Sequence, residues 1–285
     1  MTPRKAVFAG SWYPDKPSAC EREIQGFLSR KDGPAKSGKP VLGGIVPHAG
    51  WYFSGKIACN VIRDVLGGEN EPDVTLIFGM HLHRDSEPFI MADGSWETPL
   101  GELEIATSLA ERLVRRFHFT VETARRFTQD NTIELQLPFI KYFSKHTKIL
   151  PVGAPPSGIS IDIAHAAVEE AKALGMSLAV IGSTDLTHYG PNYGFAPAGL
   201  GEKALSWVRE VNDAAVIQKM RDMDPEAVIR EALKNHNACC GGAAASAIAA
   251  LKKLGATQSE LLSYQTSHDK SPGNSFVGYA GVVFR

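Results

Sequence analysis

The sequence predicts an α/β protein: one domain over residues 1–285, with a mostly parallel central sheet and helices on both faces. Three observations predict it. Apolar runs of strand length recur at 41–46, 74–78, 148–152 and 178–182, and stretches of helical periodicity separate them. The runs are continuously apolar rather than alternating, as strands covered on both faces require. No internal repeat is present, and the one segment of linker composition (31–40, KDGPAKSGKP) lies too near the start to divide two cores.

The elements follow in order. Residues 6–14 mix apolar and turn residues, predicting an extended arm and a tight turn at Pro14. Residues 17–30 alternate charged and apolar positions at helical spacing. After the connector, the run 41–46 predicts a strand, 52–66 a helix and 74–78 a second strand. A less regular stretch extends to about 103. Helical periodicity returns at 106–117 and again at 131–144. Residues 148–152 read as a strand, 161–174 as a helix and 178–182 as a buried strand. Helices follow at 202–222 and 225–235, the second opened by Asp224 as N-cap and Pro225 in the first turn. An Ala-rich helix spans 242–254, and strands at 261–265 and 276–284 close the chain.

Bulk properties narrow the function classes. A chain of 285 residues buries enough surface to fold without staples. Its net charge of -1 supplies no field that would gather nucleic acid or an anionic membrane, so neither is expected as a partner. The apolar runs are too short to cross a bilayer, and the start lacks a signal-peptide core. Cys20, Cys59, Cys239 and Cys240 show no framework spacing, which fits a reducing compartment. The expected location is cytoplasmic.

Polar residues of chemical interest stand just past the ends of the apolar strands. His48 follows the first, His81 and His83 the second, and Asp185 and His188 the strand at 178–182. Ligands of open parallel sheets bind beyond the carboxyl ends of the strands, so three strands deliver imidazoles or a carboxylate to one rim. Singly, each has a plainer reading: a hydrogen-bonding loop histidine, or an Asp–His contact that caps a helix. Around Leu82, an extended segment would point His81 and His83 the same way. The Cys239–Cys240 pair opens the Ala-rich helix, whose positive end favours a thiolate, although two small packing residues beside glycines are the ordinary alternative. Two imidazoles with one anionic ligand and open positions suit non-haem iron or catalytic zinc, and a thiolate shifts the preference toward zinc, copper(I) or a soft iron site. His188, oriented by Asp185, would serve as general base or hydrogen-bond donor. His118, His146, His165 and His236 are expected at the surface, and His268 is a weaker candidate for the same rim. No dinucleotide, P-loop, nucleophile-elbow or H-E-x-x-H motif occurs.

The segments A-G-S-W-Y-P (9–14), V-P-H-A-G-W-Y-F-S-G (46–55), N-T-I-E-L-Q-L-P-F (131–139), S-T-D-L-T-H-Y-G (183–190), N-A-C-C-G (237–241) and V-G-Y-A-G-V-V-F (277–284) together resemble the Memo family over nearly the whole chain. The resemblance implies a fold similar to class III extradiol dioxygenases. It places His48 as the first histidine ligand and Cys240 in the position of the dioxygenases' glutamate. Asp185 and His188 become the D-x-x-H pair, with His188 as acid/base. For the second histidine ligand the family commonly shows G-P-x-H, whereas this chain has Gly79-Met80-His81-Leu82-His83. Ungapped correspondence falls on Leu82, so His81 or His83 must take the place, and His81 is preferred as nearer the strand end.

These expectations define three function classes. The first is a metal-dependent redox enzyme, loaded with iron or copper (zinc less so), acting on a small phenolic or other oxidisable substrate. The resemblance adds a radical-SAM protein and an AMMECR1-like protein as expected partners in a shared modification pathway (the AmmeMemoRadiSam system). The second is a metal- or peptide-binding adaptor without turnover. The third is a Cys–His hydrolase with Cys240 as nucleophile and His188 as base.

Overall fold

The structure, a computed structural model, describes residues 3–29 and 40–285. The predicted connector therefore lies, but for Pro40, outside the described residues. Eleven strands are found among the described residues: β1 (Gly43–Val46), β2 (Val74–Gly79), β3 (Phe89–Met91), β4 (Ser95–Thr98), β5 (Gly101–Glu104), β6 (Thr120–Glu122), β7 (Lys148–Gly153), β8 (Leu178–Ser183), β9 (His188–Tyr189), β10 (Ser259–Thr266) and β11 (Phe276–Phe284). The main sheet runs in the order β10-β11-β1-β8-β2-β7-β3-β6, with β9 added against β11, while β4 and β5 form a separate hairpin. The centre, β1-β8-β2-β7, is wholly parallel. Antiparallel pairs lie outside it, where β11 joins β1 and β10, and β3 joins β7.

The parallel centre is buried on both faces, which is why its strands read as unbroken apolar runs. Leu76 and Phe78 of β2 enter the core beneath the Ala-rich helix Gly241–Leu254, while Ile77 between them enters the core that contains Trp51 and Phe139. The first core also receives the helix Gly158–Ala173, and the second the helices Pro17–Leu28 and Trp51–Leu66. Gly43 and Gly44 let both layers approach the same strand. A Cβ at Gly43 would stand 2.8 Å from Leu251 of the Ala-rich helix, and one at Gly44 would stand 2.4 Å from Val61 of the opposite helix. Two adjacent residues without side chains thus set the thickness of the sandwich at its centre.

Two predicted elements differ from the structure. The irregular stretch before 103 contains β3 and the β4–β5 hairpin, whose strands are too short to show a period. The helix expected over 131–144 is two helices, Asn131–Glu134 and Leu137–Phe143. Pro138, near the start of the second, cannot donate into a continuous ladder. Gln136 at the break turns its amide to the carbonyl of Pro47, 3.0 Å away, and so ties this corner to the loop that carries His48.

Candidate metal centre

The three central strands deliver the site. β1, β8 and β2 are neighbours in register, Val46 opposite Ser183 and Phe78 opposite Gly182. His48, Asp185 and His81 each stand two residues beyond the end of one of these strands, so parallel pairing alone sets them side by side. From the far face, the Ala-rich helix begins at the same rim, with Cys239 and Cys240 at its N-terminus. His48, His81, Cys239 and Cys240 each offer one ligand atom, and the four atoms lie within 4.8 Å of one another.

Each imidazole is held from behind. Ser183 Oγ donates to the carbonyl of Thr132 at 2.7 Å, so it can only accept from His48 Nδ1, 3.0 Å away. That fixes the proton on Nδ1 and turns Nε2 toward Cys239 Sγ, at 3.2 Å. The backbone of His48 is fixed as well: its N–H donates to Asp185 Oδ1 at 2.7 Å, and its carbonyl accepts from Asn131 Nδ2 at 2.9 Å. His81 Nδ1 donates to Asp130 Oδ2 at 3.0 Å, and its N–H reaches the same oxygen at 3.1 Å. Both rings therefore keep Nε2 for the cluster, and they meet edge to face with centroids 5.0 Å apart. A carboxylate or hydroxyl behind a ligating imidazole sets its tautomer and raises its basicity.

A left-handed residue aims His81. Met80, at φ 71, follows the last residue of β2, its N–H donating to Thr132 Oγ1 at 2.7 Å. This conformation is strained for a residue with a side chain, and such strain gathers at functional sites. A proline could not adopt it. The chain thus brings residue 81, rather than residue 82, into the cluster at the point where it lacks the G-P-x-H proline.

The electrostatics divide the two thiols. Burial works against charge on Cys239, but the contact with the Cys240 sulfur at 3.8 Å and the facing His48 and His81 rings outweigh it, holding Cys239 well below the usual thiol range. Burial, with the Cys239 charge beside it, pushes Cys240 well up. Of the two thiols, Cys239 is the readier to ionise and Cys240 the one that holds its proton more tightly. Burial disfavours charge on His48 as well, yet Asp185 and Cys239 raise it above the ordinary imidazole value. For His81, burial is outweighed by Asp130 and Cys239, and it is pushed up to about 10. Burial raises Asp185 despite His48 nearby. Preformed, with His48 and Cys240 buried and His81 open to solvent, the donors suit a transition ion, whose binding would displace their protons.

The profile of the Memo-like protein family matches residues 4–283. The chain belongs to the Memo family. It is 32% identical over 291 residues to a MEMO1 family protein of Pyrococcus furiosus, covering 99% of each chain. A MEMO1 family protein of Methanothermobacter thermautotrophicus is 31% identical over 286 residues, with 97% of this chain and 98% of the relative covered. Among solved structures, an uncharacterized protein of Escherichia coli K12 superposes with a TM-score of 0.53 at 8% identity, over 84% of this chain and 98% of its own; that likeness shows the fold alone. The fold is the α/β class expected of a Memo protein.

Of the residues singled out in the sequence, the Memo structure brings together His48, His81 and Cys240. His83 is outside the cluster: it is exposed, and its N–H bonds Ser86. The turn at Met80 separates the two histidines that an extended chain would have aligned. Asp185 lies 3.9 Å from His48 Nε2, and its backbone carbonyl accepts from the N–H of Cys239. His188 donates from Nδ1 to the carbonyl of Leu186, leaving Nε2 toward a pocket of about 570 Å³ that His48, His81 and Asp185 also line. His268 packs on Phe276. Sequence reasoning missed Asp130, Thr132 and Ser183, and it gave Cys239 no role apart from its neighbour. Asp130 did carry a signal, as an N-cap before N-T-I-E, but a cap has no necessary second function.

Proposed function

We propose that this Memo protein binds a redox-active transition metal, iron or copper, through His48, His81, Cys239 and Cys240, and oxidises a small molecule in the adjoining pocket. The observation that supports this most is the convergence of two preset imidazoles and two sulfurs beside open space rather than within a closed core. Two sulfur donors favour copper(I) or a soft iron site, and zinc is the commonest competitor. A bound metal would supply electron transfer and a position at which substrate is polarised. His188, its Nδ1 committed to Leu186, can pass a proton through Nε2 to a group in the pocket. Asp185 fixes the backbone of His48 and carries negative charge near its ring. The four free thiols support a reducing, cytoplasmic location, and the radical-SAM and AMMECR1-like partners belong to the same proposal.

A second reading has an observation of its own. The Cys239 sulfur 3.2 Å from His48 Nε2 is a nucleophile–imidazole pair, with His48 rather than His188 as the neighbouring base. Anaerobic titration with iron(II) and copper(I) against a chromogenic chelator separates the two. For a metal centre, His48→Ala and Cys239→Ala weaken binding by about 100-fold or more, and chelation abolishes oxygen consumption with a catechol panel. Unchanged metal affinity in both variants refutes the site. Oxygen consumption absent with every catechol ends the ring-cleaving version. Ester hydrolysis that survives chelation but not Cys239→Ala selects the second reading.

A further inference from the structure

Among the described residues, the pocket that His188 lines is joined by another that reaches the cluster. A second cavity of about 620 Å³ lies on the other side of His188 and Tyr193, and Cys239 forms part of its wall. The two rings, in edge contact with centroids 5.1 Å apart, are a partition shared by both cavities. The cavities differ in chemistry. The first is lined by the carboxylate of Asp185, the amide of Asn131 and several serine hydroxyls. The second has no carboxylate among its lining residues, and its chargeable groups are Arg84, the imidazoles of His83, His188 and His236, and the thiol of Cys239.

We infer that this second cavity is a binding site for a small aromatic carboxylate, with its ring against Tyr193, Phe195 and Leu233 and its anionic end toward Arg84. Arg84 is exposed at the mouth and forms no hydrogen bond or ion pair among the described residues. Such a guanidinium is free to take a carboxylate through two parallel hydrogen bonds. Leu233 and Tyr193 are among the large apolar side chains that remain exposed, 41% and 47% respectively, and a flat ring lying between them would cover both. His236 holds a left-handed backbone, φ 51, that ends the helix Pro225–Asn235 and sets its ring against Phe195. The floor is completed by Gly241, the first residue of the 14-residue Ala-rich helix, whose N-cap Cys240 makes no side-chain capping bond. That positive helix end adds to Arg84 and offsets the acidic thiol of Cys239 in the same wall.

This placement deepens the redox reading, on which it rests only for the chemistry: a ring in this cavity lies beside Cys239, the one donor of the cluster in its wall, so the substrate class becomes an aromatic acid that meets the cluster from this side rather than from the first pocket. Binding itself needs no metal. The test is therefore made on metal-free protein, with 4-fluorophenylacetate as probe and 4-fluorophenylacetamide as its uncharged counterpart, followed by fluorine NMR. The acid is expected to bind and the amide to bind about tenfold more weakly. Arg84→Gln should weaken the acid about 3- to 10-fold while leaving the amide unchanged, a modest effect because the guanidinium is solvated. Leu233→Asp should abolish binding of both, whereas Trp12→Ala, in the first pocket, should change neither. The inference is overturned if the acid does not bind, if the amide binds equally well, or if Trp12→Ala rather than Leu233→Asp removes binding. Loss of metal binding in His48→Ala with acid binding intact would leave this site standing and test the metal reading alone.

Discussion

Asp130 is the residue whose replacement most cleanly separates metal affinity from folding. Its Oδ2 accepts from His81 Nδ1 at 3.0 Å and His81 N at 3.1 Å, and its Oδ1 caps the helix Asn131–Glu134 through the N–H of Thr132 at 2.9 Å. Asn is as good an N-cap as Asp, so Asp130→Asn should leave the helix start intact, while Asp130→Ala should cost about 1 kcal/mol of stability from the cap. Both lose the carboxylate behind His81, and removal of such a partner typically lowers metal affinity about 10- to 100-fold. The upper end is expected for both, because with its one amide oxygen on the cap Asn turns its NH2 toward His81 and cannot accept from Nδ1. A large stability contribution from the ion pair itself is not expected, since 45% of the His81 side chain is exposed and solvent screens it. The pH dependence provides a further check. The facing His81, together with the Thr132 bonds, overcomes burial and depresses Asp130. Its stabilisation is thus present above the ordinary Asp value, about 3.9, and is lost as pH falls through the native value. His81 is raised to about 10, so its share is complete below the ordinary His value, about 6.5, and is lost as pH rises through the native one. The stability difference between wild type and Asp130→Ala in metal-free protein should therefore be greatest between about pH 4 and 6.5. Chelator competition gives the affinities and urea unfolding across pH gives the window. Metal affinity within twofold of wild type in both variants would refute the assigned role of Asp130.

Two further predictions follow from backbone geometry. Met80→Pro cannot hold φ 71 and removes the N–H bonded to Thr132, so it should displace His81 and reduce metal affinity as far as His81→Ala does; wild-type affinity in a folded Met80→Pro protein would show that the left-handed turn does not aim the ligand. Gly44→Ala places a methyl 2.4 Å from Val61 and 2.7 Å from the carbonyl of Val282, and should cost about 1–3 kcal/mol in urea unfolding, a result that unchanged stability would contradict.

The layered α/β class and most strands and helices were legible because their causes are local. Continuous apolar runs mark the doubly covered strands β1, β2, β7 and β8, and Asp224 with Pro225 marks a helix start that the structure reproduces, Asp224 accepting from Ala227 N. The short strands β3, β4 and β5 and the break at Leu135–Gln136 were not legible: three or four residues carry no period, and the break is held by a bond to Pro47, 89 positions away.

The site divides along the same line. Sequence alone determined which residues stand at strand ends, His48, His81, Asp185 and His188, and that two thiols open a helix, because each of these depends on neighbours a few positions away. Only the tertiary structure decided that His81 joins the cluster and His83 faces a second cavity, that Cys239 is the more acidic of the two thiols, and that Asp130 and Ser183 orient the rings. Those outcomes arise from one backbone angle at Met80 and from contacts between β1, β2, β8 and the helix at 131, which pairing across the sheet brings within 3 Å. Periodicity reports which face a side chain takes; what it meets there depends on how distant segments pack.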